Sequence, residues 1–262
     1  GAPCRGTGFR IGFLAGMVAH TGILYWIVNV VVQYGYLPVV VGVLALLMLS
    51  AYLSLYTGLF AAAVVHLRQR GVPCWLSAPL TWTVLEYLRS FLMTGFPWES
   101  LAYSQYRFIH LIQISDLTGI YGLTFLIVMV NAVLFDLMSS RFSRRSAFKE
   151  AAVALALVLL VSGYGQWRIS QIREKIGNAK EREVALVQGN IDQNVKWDPQ
   201  YQSKTIEIYR PLSLAPPLGE GALIVWPETA VPFYFQRREP LQERVVDIAR
   251  TKRSSMLVGS PR

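Results

Sequence analysis

The fold of the C-terminal part of this chain is decided by LIVWPETA, residues 223–230. Four apolar residues, mostly β-branched or aromatic, are followed at once by a proline and a carboxylate. This pattern predicts a buried strand whose C-terminal tip presents Glu228. A carboxylate on the rim of a buried sheet is partly desolvated, which favours a role in proton transfer. Glu228 is therefore a candidate general base, and the alternative is a strand-end Glu that simply faces water.

The sequence around this strand alternates between strand and helix patterns. Strands are predicted at residues 184–188, 222–226 and 256–259, and helices at residues 199–212 and 239–253. Such alternation predicts βαβ units and a parallel or mixed sheet. The region 183–262 has only about 80 residues, fewer than the 100–150 of a common domain, so we expect it to be the first part of a larger domain.

The first 170 residues are poor in charge. The whole chain is 53% hydrophobic and 16% charged, whereas soluble domains carry about 25% charged residues. Five stretches approach the ~20 apolar residues that a membrane-spanning helix needs, namely 11–32, 38–65, 75–93, 119–138 and 151–167. We therefore predict a transmembrane bundle at 1–168, a linker at 169–182 and a water-exposed region at 183–262.

Basic residues in the predicted loops indicate the topology. With five spans, one side of the membrane carries Arg5, Arg10, Arg68, Arg70, Arg141, Arg144, Arg145 and Lys149. Among Lys and Arg, the loops on the other side carry only Arg107. The positive-inside rule assigns the basic side to the cytoplasm, so residues 183–262 are expected outside it, in a bacterial periplasm or its equivalent. The net charge of +9 thus reflects topology and does not indicate nucleic-acid binding.

No metal or cofactor site is predicted. Cys4 and Cys74 lie far apart, and no CxxC or Cys/His cluster occurs, so neither a zinc site nor a disulfide framework is indicated. His20, His66 and His110 all fall in apolar or loop-edge settings, where we expect packed or interfacial residues.

Three further constellations each leave two interpretations open. Glu86 and Arg89 share one face of a predicted helix and form either a structural pair near the helix end or the lining of a polar cavity. Residues 94–98, TGFPW, suit either an aromatic anchor at the membrane interface or a lipid-facing loop that shapes an entry gap. Trp197 precedes Asp198, a candidate N-cap, and is either a core residue or the wall of an acyl-binding pocket.

In combination, these stretches resemble the apolipoprotein N-acyltransferases of bacterial inner membranes. The matching motifs run in family order over nearly the whole chain, and they are AYLSLYTGLF (51–60), LEYLR (85–89), TGFPW (94–98), LAYSQ (101–105), VQGN (187–190), KWD (196–198) and WPE (226–228). Any single motif is weak, whereas the ordered set is specific.

The resemblance implies a fold and a reaction. The expected fold is an α-helical transmembrane bundle followed by a periplasmic nitrilase-like domain, an α-β-β-α sandwich. The expected reaction transfers an acyl chain from a phospholipid to the amino group of an apolipoprotein's N-terminal diacylglyceryl-cysteine, through a cysteine thioester and without a cofactor. Glu228 matches the family's general base. Trp197 matches a Trp near the acyl pocket, and Phe96 and Trp98 are expected to bind substrate.

The chain also departs from the family pattern. The family's oxyanion-stabilising Lys and nucleophilic Cys lie downstream of Arg262, and Cys4 and Cys74 are in the wrong part of the fold to replace the nucleophile. We therefore expect an internal fragment, with five of eight spans, that does not catalyse by itself. Two other functions stay open. A membrane-tethered nitrilase-like amidase would have a closed polar pocket instead of a lipid-accessible gap, and a non-catalytic binding protein would lack the Lys and Cys altogether.

Overall fold

The computed structural model of the protein describes residues 4–138, 144–236 and 240–261. Arg141, the side chains of Arg144 and Arg145, and Glu239 lie outside the described parts. The chain divides into two compact units, Gly1–Gly177 (unit 1) and Asn178–Arg262 (unit 2). Each unit is described separately below.

Unit 1 is built from helices. They are α1 (Arg5–Ile23), α2 (Trp26–Gln33), α3 (Val39–Gln69), α4 (Cys74–Arg89), α5 (Ile109–Ile112), α6 (Ser115–Thr118), α7 (Ile120–Met138) and α8 (Arg144–Gly177). Within the described residues, three helical stretches are long and apolar enough to cross a membrane, namely α3, α7 and the Phe148–Gly177 part of α8. The bent pair of α1 and α2 adds a fourth if it forms a single span. A helical membrane region is thereby confirmed.

Two of the five predicted spans differ from the structure. The stretch 11–32 is broken between α1 and α2, which are bent by 53°. Leu24, at the break, is fully buried against Leu46 and Leu53, so packing overrides the continuous apolar pattern. The stretch 75–93 corresponds to α4, which has only 16 residues. That length is about 24 Å, short of the ~30 Å hydrocarbon core.

Close packing of α1 on α3 fixes the relative direction of these helices. Gly8, Gly12 and Gly16 recur every four residues along α1, which gives the helix a strip of small residues. A Cβ atom at Gly16 would lie 3.1 Å from Cα of Ser54, and one at Gly8 would lie 3.1 Å from a methyl group of Val65. Small residues permit such close contact between membrane helices. The start of α1 therefore lies beside the end of α3, and the two helices are antiparallel.

Several basic residues lie at the end of unit 1 where α1 begins and α3 ends, which we call the basic end. Arg5 at the start of α1 and Arg68 at the end of α3 both lie at this end. Asp136, at the end of α7, is buried, and its Oδ1 lies 4.0 Å from Nη2 of Arg68. Because α8 begins shortly after α7 ends, α8 runs away from this basic end.

Unit 2 contains a three-stranded parallel sheet of order β1-β2-β3. The strands are β1 (Val184–Leu186), β2 (Leu223–Val225) and β3 (Ser255–Leu257), and the helices are α9 (Gln193–Lys196), α10 (Gln202–Leu214) and α11 (Pro240–Lys252). Ala185, Ile224 and Met256 are aligned across the three strands. The core centres on Ile206, Ile224 and Ile248, which are completely buried.

The predicted βαβ arrangement is confirmed, since α10 connects β1 to β2 and α11 connects β2 to β3 with all strands parallel. The hydrogen bonding continues one step beyond the strands, because Val187 N–H donates to the carbonyl of Val225 and Trp226 N–H donates to that of Leu257. The described part of unit 2 holds one sheet, so the two-sheet nitrilase-like sandwich stays a prediction. Helix α8 extends through Gly177, into the stretch 169–182 that was predicted as a linker.

Candidate functional site

A cavity lies at the C-terminal edge of the sheet in unit 2. Because parallel strands end at the same edge, the segments that follow β1 and β2 come together there. The cavity has a volume of about 550 Å³. Its lining comprises Gln188, Asn190 and Ile191 after β1, residues 227–230 after β2, and Lys196, Thr205 and Tyr209. This edge is where open α/β sheets bind their ligands.

Glu228 lies on the rim of this cavity, and its side chain is exposed to solvent. The partial desolvation that we expected is therefore not observed. The backbone at Glu228 is held from two sides. Nζ of Lys196 donates a hydrogen bond to the carbonyl oxygen of Glu228 (3.4 Å), and Gly259 packs so closely behind it that an added Cβ would lie 2.9 Å from Cα of Glu228. The turn is thus supported while its carboxylate stays accessible.

Tyr209 lines the cavity and is backed by Trp226. The ring of Tyr209 stacks on that of Trp226 with centroids 4.6 Å apart, and both residues are buried. Nε1–H of Trp226 donates to Oγ of Ser213 (2.9 Å), which in turn donates to the carbonyl of Tyr209 (2.8 Å). Burial raises the pKa of Tyr209, partly opposed by a hydrogen bond from the backbone of Gly189. The phenol therefore stays neutral at physiological pH.

Trp197 is exposed. Trp197 has 56% of its surface accessible. It is therefore not a core residue in the described part of unit 2. The ammonium group of Lys196 lies 5.9 Å from the centroid of the Trp197 ring. The capping prediction is confirmed, because Oδ1 of Asp198 accepts a hydrogen bond from the N–H of Gln200 (2.9 Å). Trp197 is thus an exposed aromatic residue beside the lysine that lines the cavity.

In unit 1, residues 95–100, GFPWES, form a loop that we call the aromatic loop. Its Trp98 side chain is 52% exposed and stacks on Trp26 at the start of α2, with centroids 5.3 Å apart. Phe96 lies 5.8 Å from the Trp98 ring and packs against the cluster that contains Leu24 and Leu53. The ring of Phe96 is therefore anchored in the bundle, whereas one side of the Trp98 ring is exposed.

Two buried charges contact the aromatic loop and the residue that follows it. Glu86 and Arg89 of α4 are both only 6% exposed, with Oε1 and Nη2 3.7 Å apart. Nη2 of Arg89 donates to the carbonyl of Trp98 (3.0 Å), and Oε1 of Glu86 accepts from the N–H of Leu101 (3.2 Å). Both groups also line a small internal cavity. The structural pair near the helix end is thus observed, whereas the lining of a polar cavity stays a prediction.

The structure brings some of the predicted site residues together and reveals others. Phe96 and Trp98 meet in the aromatic loop, and Glu228 lies at the cavity of unit 2 beside Lys196, for which no site role was predicted. Sequence reasoning missed Tyr209, whose only signal was its helical spacing toward the sheet. It also missed the contact between His20 and Glu99, which no short motif connects. Within the described ranges, no group of three or more His, Cys, Asp or Glu residues is arranged to hold a metal ion.

Comparison with known proteins gives consistent matches along the chain. Residues 3–133 match the family model of the apolipoprotein N-acyltransferase N-terminal domain. The apolipoprotein N-acyltransferase of Geobacter metallireducens is 46% identical over 97% of this chain and 49% of its own length. Those of Pasteurella multocida and Haemophilus influenzae are each 32% identical, over 95% and 98% of this chain and 47% and 48% of their own lengths. The chain therefore spans about half the length of the curated relatives that it matches.

Proposed function

Because this chain belongs to the apolipoprotein N-acyltransferase family, we propose that the complete enzyme transfers an acyl chain from a phospholipid to an apolipoprotein. The acceptor is the amino group of the N-terminal diacylglyceryl-cysteine. The observation that carries the proposal is the 46% identity over 97% of the chain. An accessible carboxylate on the rim of a 550 Å³ cavity supports it chemically.

The proposed reaction has two half-reactions. In the first, Glu228 takes the proton of a cysteine thiol, and the thiolate attacks the ester carbonyl of the phospholipid. The ester C–O bond breaks, and the leaving lysophospholipid oxygen receives the proton. In the second, the acceptor amine attacks the thioester, a C–N bond forms as the C–S bond breaks, and a proton of the amine passes to the leaving thiolate to regenerate the thiol. The Cys and the oxyanion-stabilising Lys that the resemblance implies belong to the other half of the relatives' length.

We propose that the acyl donor is bound by exposed aromatic residues. Trp197 and Trp98 each expose about half of their surface, and Phe96 backs Trp98 in the aromatic loop. Large amphipathic rings of this kind suit the boundary between acyl chains and water. The accessible apolar surface of these residues favours a lipid substrate over the small soluble amide of the alternative amidase.

We further propose that the protein resides in a bacterial inner membrane with unit 2 in the periplasm. Arg5 and Arg68 lie at one end of unit 1, and basic residues mark the cytoplasmic side. Helix α8 runs away from this end before it leads into unit 2. Unit 2 then follows on the periplasmic side, where lipoprotein acceptors are exposed.

The function is tested by Glu228→Gln in the complete enzyme. The change keeps the shape of the side chain and removes the base, and base catalysis contributes about 10²–10⁴-fold. We therefore expect the acyl-thioester to form at least ~100-fold more slowly, as quantified by trapping the acyl-enzyme with a labelled phospholipid. The matched control is Glu220→Gln, an exposed glutamate of unit 2 that is bonded to Arg253; its rate should stay at the wild-type value.

Two results would contradict the proposal. A correctly folded Glu228→Gln protein that forms the thioester at the normal rate would exclude Glu228 as the base. The 262-residue chain provides a second check, because it should form no acyl-enzyme at Cys4 or Cys74 even with Glu228 intact. Acylation of either cysteine would require a different nucleophile from the one proposed.

A further inference from the structure

A second buried polar contact reaches the aromatic loop from α1. Nδ1 of His20 donates a hydrogen bond to Oε2 of Glu99 at 2.8 Å, and the two side chains are only 9% and 8% exposed. The residues are 79 positions apart in the sequence. The contact therefore joins the last turn of α1 to the loop that carries Phe96 and Trp98.

The backbone conformation at Glu99 requires such a restraint. Glu99 has φ +61°, and Gly95 at the other end of the loop has φ +82°. A left-handed conformation is unfavourable for a residue with a Cβ and persists only where the surrounding contacts impose it. The bond from His20 fixes the side chain of Glu99, and the bond from Arg89 fixes the carbonyl of the preceding Trp98.

Several polar atoms of these residues are buried inside an apolar bundle. Nε2 of His20, Nε of Arg89, Oε2 of Glu86 and Oε1 of Glu99 are buried and make no hydrogen bond of their own. A cavity of about 20 Å³ borders His20, Glu86 and Arg89. This volume accommodates one water molecule, and a water with two to four polar partners is stable in such a site.

We propose that His20 and Glu99 are positioning residues that, together with Glu86 and Arg89, hold the aromatic loop in place. Buried ionisable groups cost free energy unless they are paired. Here the pairing is directed at one short loop, so its structural effect is to fix the backbone from Phe96 to Leu101. The rings of Phe96 and Trp98 are then presented in a single arrangement.

Hydrogen exchange on the complete protein in lipid nanodiscs tests this proposal. The reporters are the N–H groups of Phe96 and Leu101, which are bonded to the carbonyl of Arg89 and to the carboxylate of Glu86. Because a hydrogen bond to a charged group is worth more than a tenfold change in an equilibrium, His20→Ala and Glu99→Ala should each accelerate exchange of the loop peptide about tenfold or more. The double variant should be no faster than the faster single variant, since both changes remove the same contact.

Controls separate loop positioning from general damage. Asp136→Asn alters an equally buried carboxylate at the basic end of unit 1, and loop exchange should stay at the wild-type rate. Glu99→Gln keeps the side-chain shape and one acceptor oxygen, so it remains informative if Glu99→Ala fails to fold. Its acceleration should be smaller, about threefold to tenfold, because a neutral acceptor forms a weaker bond.

Specific exchange results would overturn the positioning proposal. Wild-type loop exchange in His20→Ala and Glu99→Gln would overturn the proposal, as would a double variant whose acceleration is the product of the two single effects. A kinetic readout rests on the proposed function: Glu99→Gln should raise KM for the phospholipid donor more than it lowers kcat. Faster exchange with an unchanged KM would support the positioning role of His20 and Glu99 and would refute the lipid-binding role of the loop.

Discussion

Gly189→Ala tests whether the wall of the cavity in unit 2 is as tightly packed as the structure indicates. A Cβ atom at position 189 would lie 2.6 Å from two ring carbons of Tyr209, closer than real side-chain contacts allow. The ring cannot move aside easily, because Tyr209 is only 3% exposed and stacks on Trp226. The added methyl group must therefore displace either the ring or the segment that follows β1.

The expected cost follows from this geometry. Overpacking a well-packed site typically costs about 1–3 kcal/mol, which changes an opening equilibrium by about 5–150-fold. We expect hydrogen exchange of the α10 peptides, which carry Tyr209, to accelerate by that factor in the complete protein. Acyl-thioester formation should fall as well, because a displaced Tyr209 intrudes into the cavity that Glu228 borders.

Two comparisons would refute this reasoning. Gly219→Ala is the matched control, since its Cβ would contact only the carboxylate of Glu183 at 3.1 Å, and that flexible side chain can move. In a Tyr209→Leu background the clash is absent, so Gly189→Ala should cost less than about 0.5 kcal/mol there. An unchanged exchange rate in Gly189→Ala, or the same cost in both backgrounds, would mean that the ring does not restrict position 189.

The remaining predictions concern unit 2 and the topology. Ser213→Ala removes the acceptor for the buried indole N–H of Trp226, so the free energy of local unfolding should fall by about 1–3 kcal/mol, measured by hydrogen exchange. Trp197→Ala should slow acylation in the complete enzyme more than it lowers folded yield, and an unchanged rate would exclude a pocket role. Cysteines introduced at Ser143 and Lys204 should be labelled by an impermeant reagent on intact spheroplasts only at position 204; labelling only at 143 would reverse the topology.

The sheet of unit 2 was predictable because its signals are local. Short apolar runs predict the strands, with β-branched residues most frequent in β2, and the 3.6-residue period predicts α10 and α11. Asp198 could be predicted as a cap because the capping bond spans only two residues. Glu228 likewise follows from the strand that precedes it. The exposure of Glu228 could not be predicted in this way, because it depends on which segments fold over the strand end.

The helical unit was less predictable because long-range packing decides where helices break. An apolar run gives no sign of the bend between α1 and α2, which accompanies the burial of Leu24 against α3. Helix α4 ends at Arg89 instead of continuing to residue 93, because Glu86 and Arg89 bond to the following loop. Composition predicts that such charges need partners, and only the fold shows which partners they have.

The distribution of buried charge in unit 1 indicates which part of it must be held most firmly. In the described part of unit 1, the buried acidic, basic and histidine residues are His20, Glu86, Arg89, Asp136 and Glu150, and the side chain of Glu99 within the aromatic loop is only 8% exposed. Three of them bond to the aromatic loop or to the residue that follows it. Apolar residues could fill the same volume without the desolvation cost, yet they could not hold backbone carbonyls and N–H groups in a loop with a left-handed glutamate. The polar groups are therefore best understood as the means by which an apolar bundle fixes one irregular segment, the segment that presents Trp98.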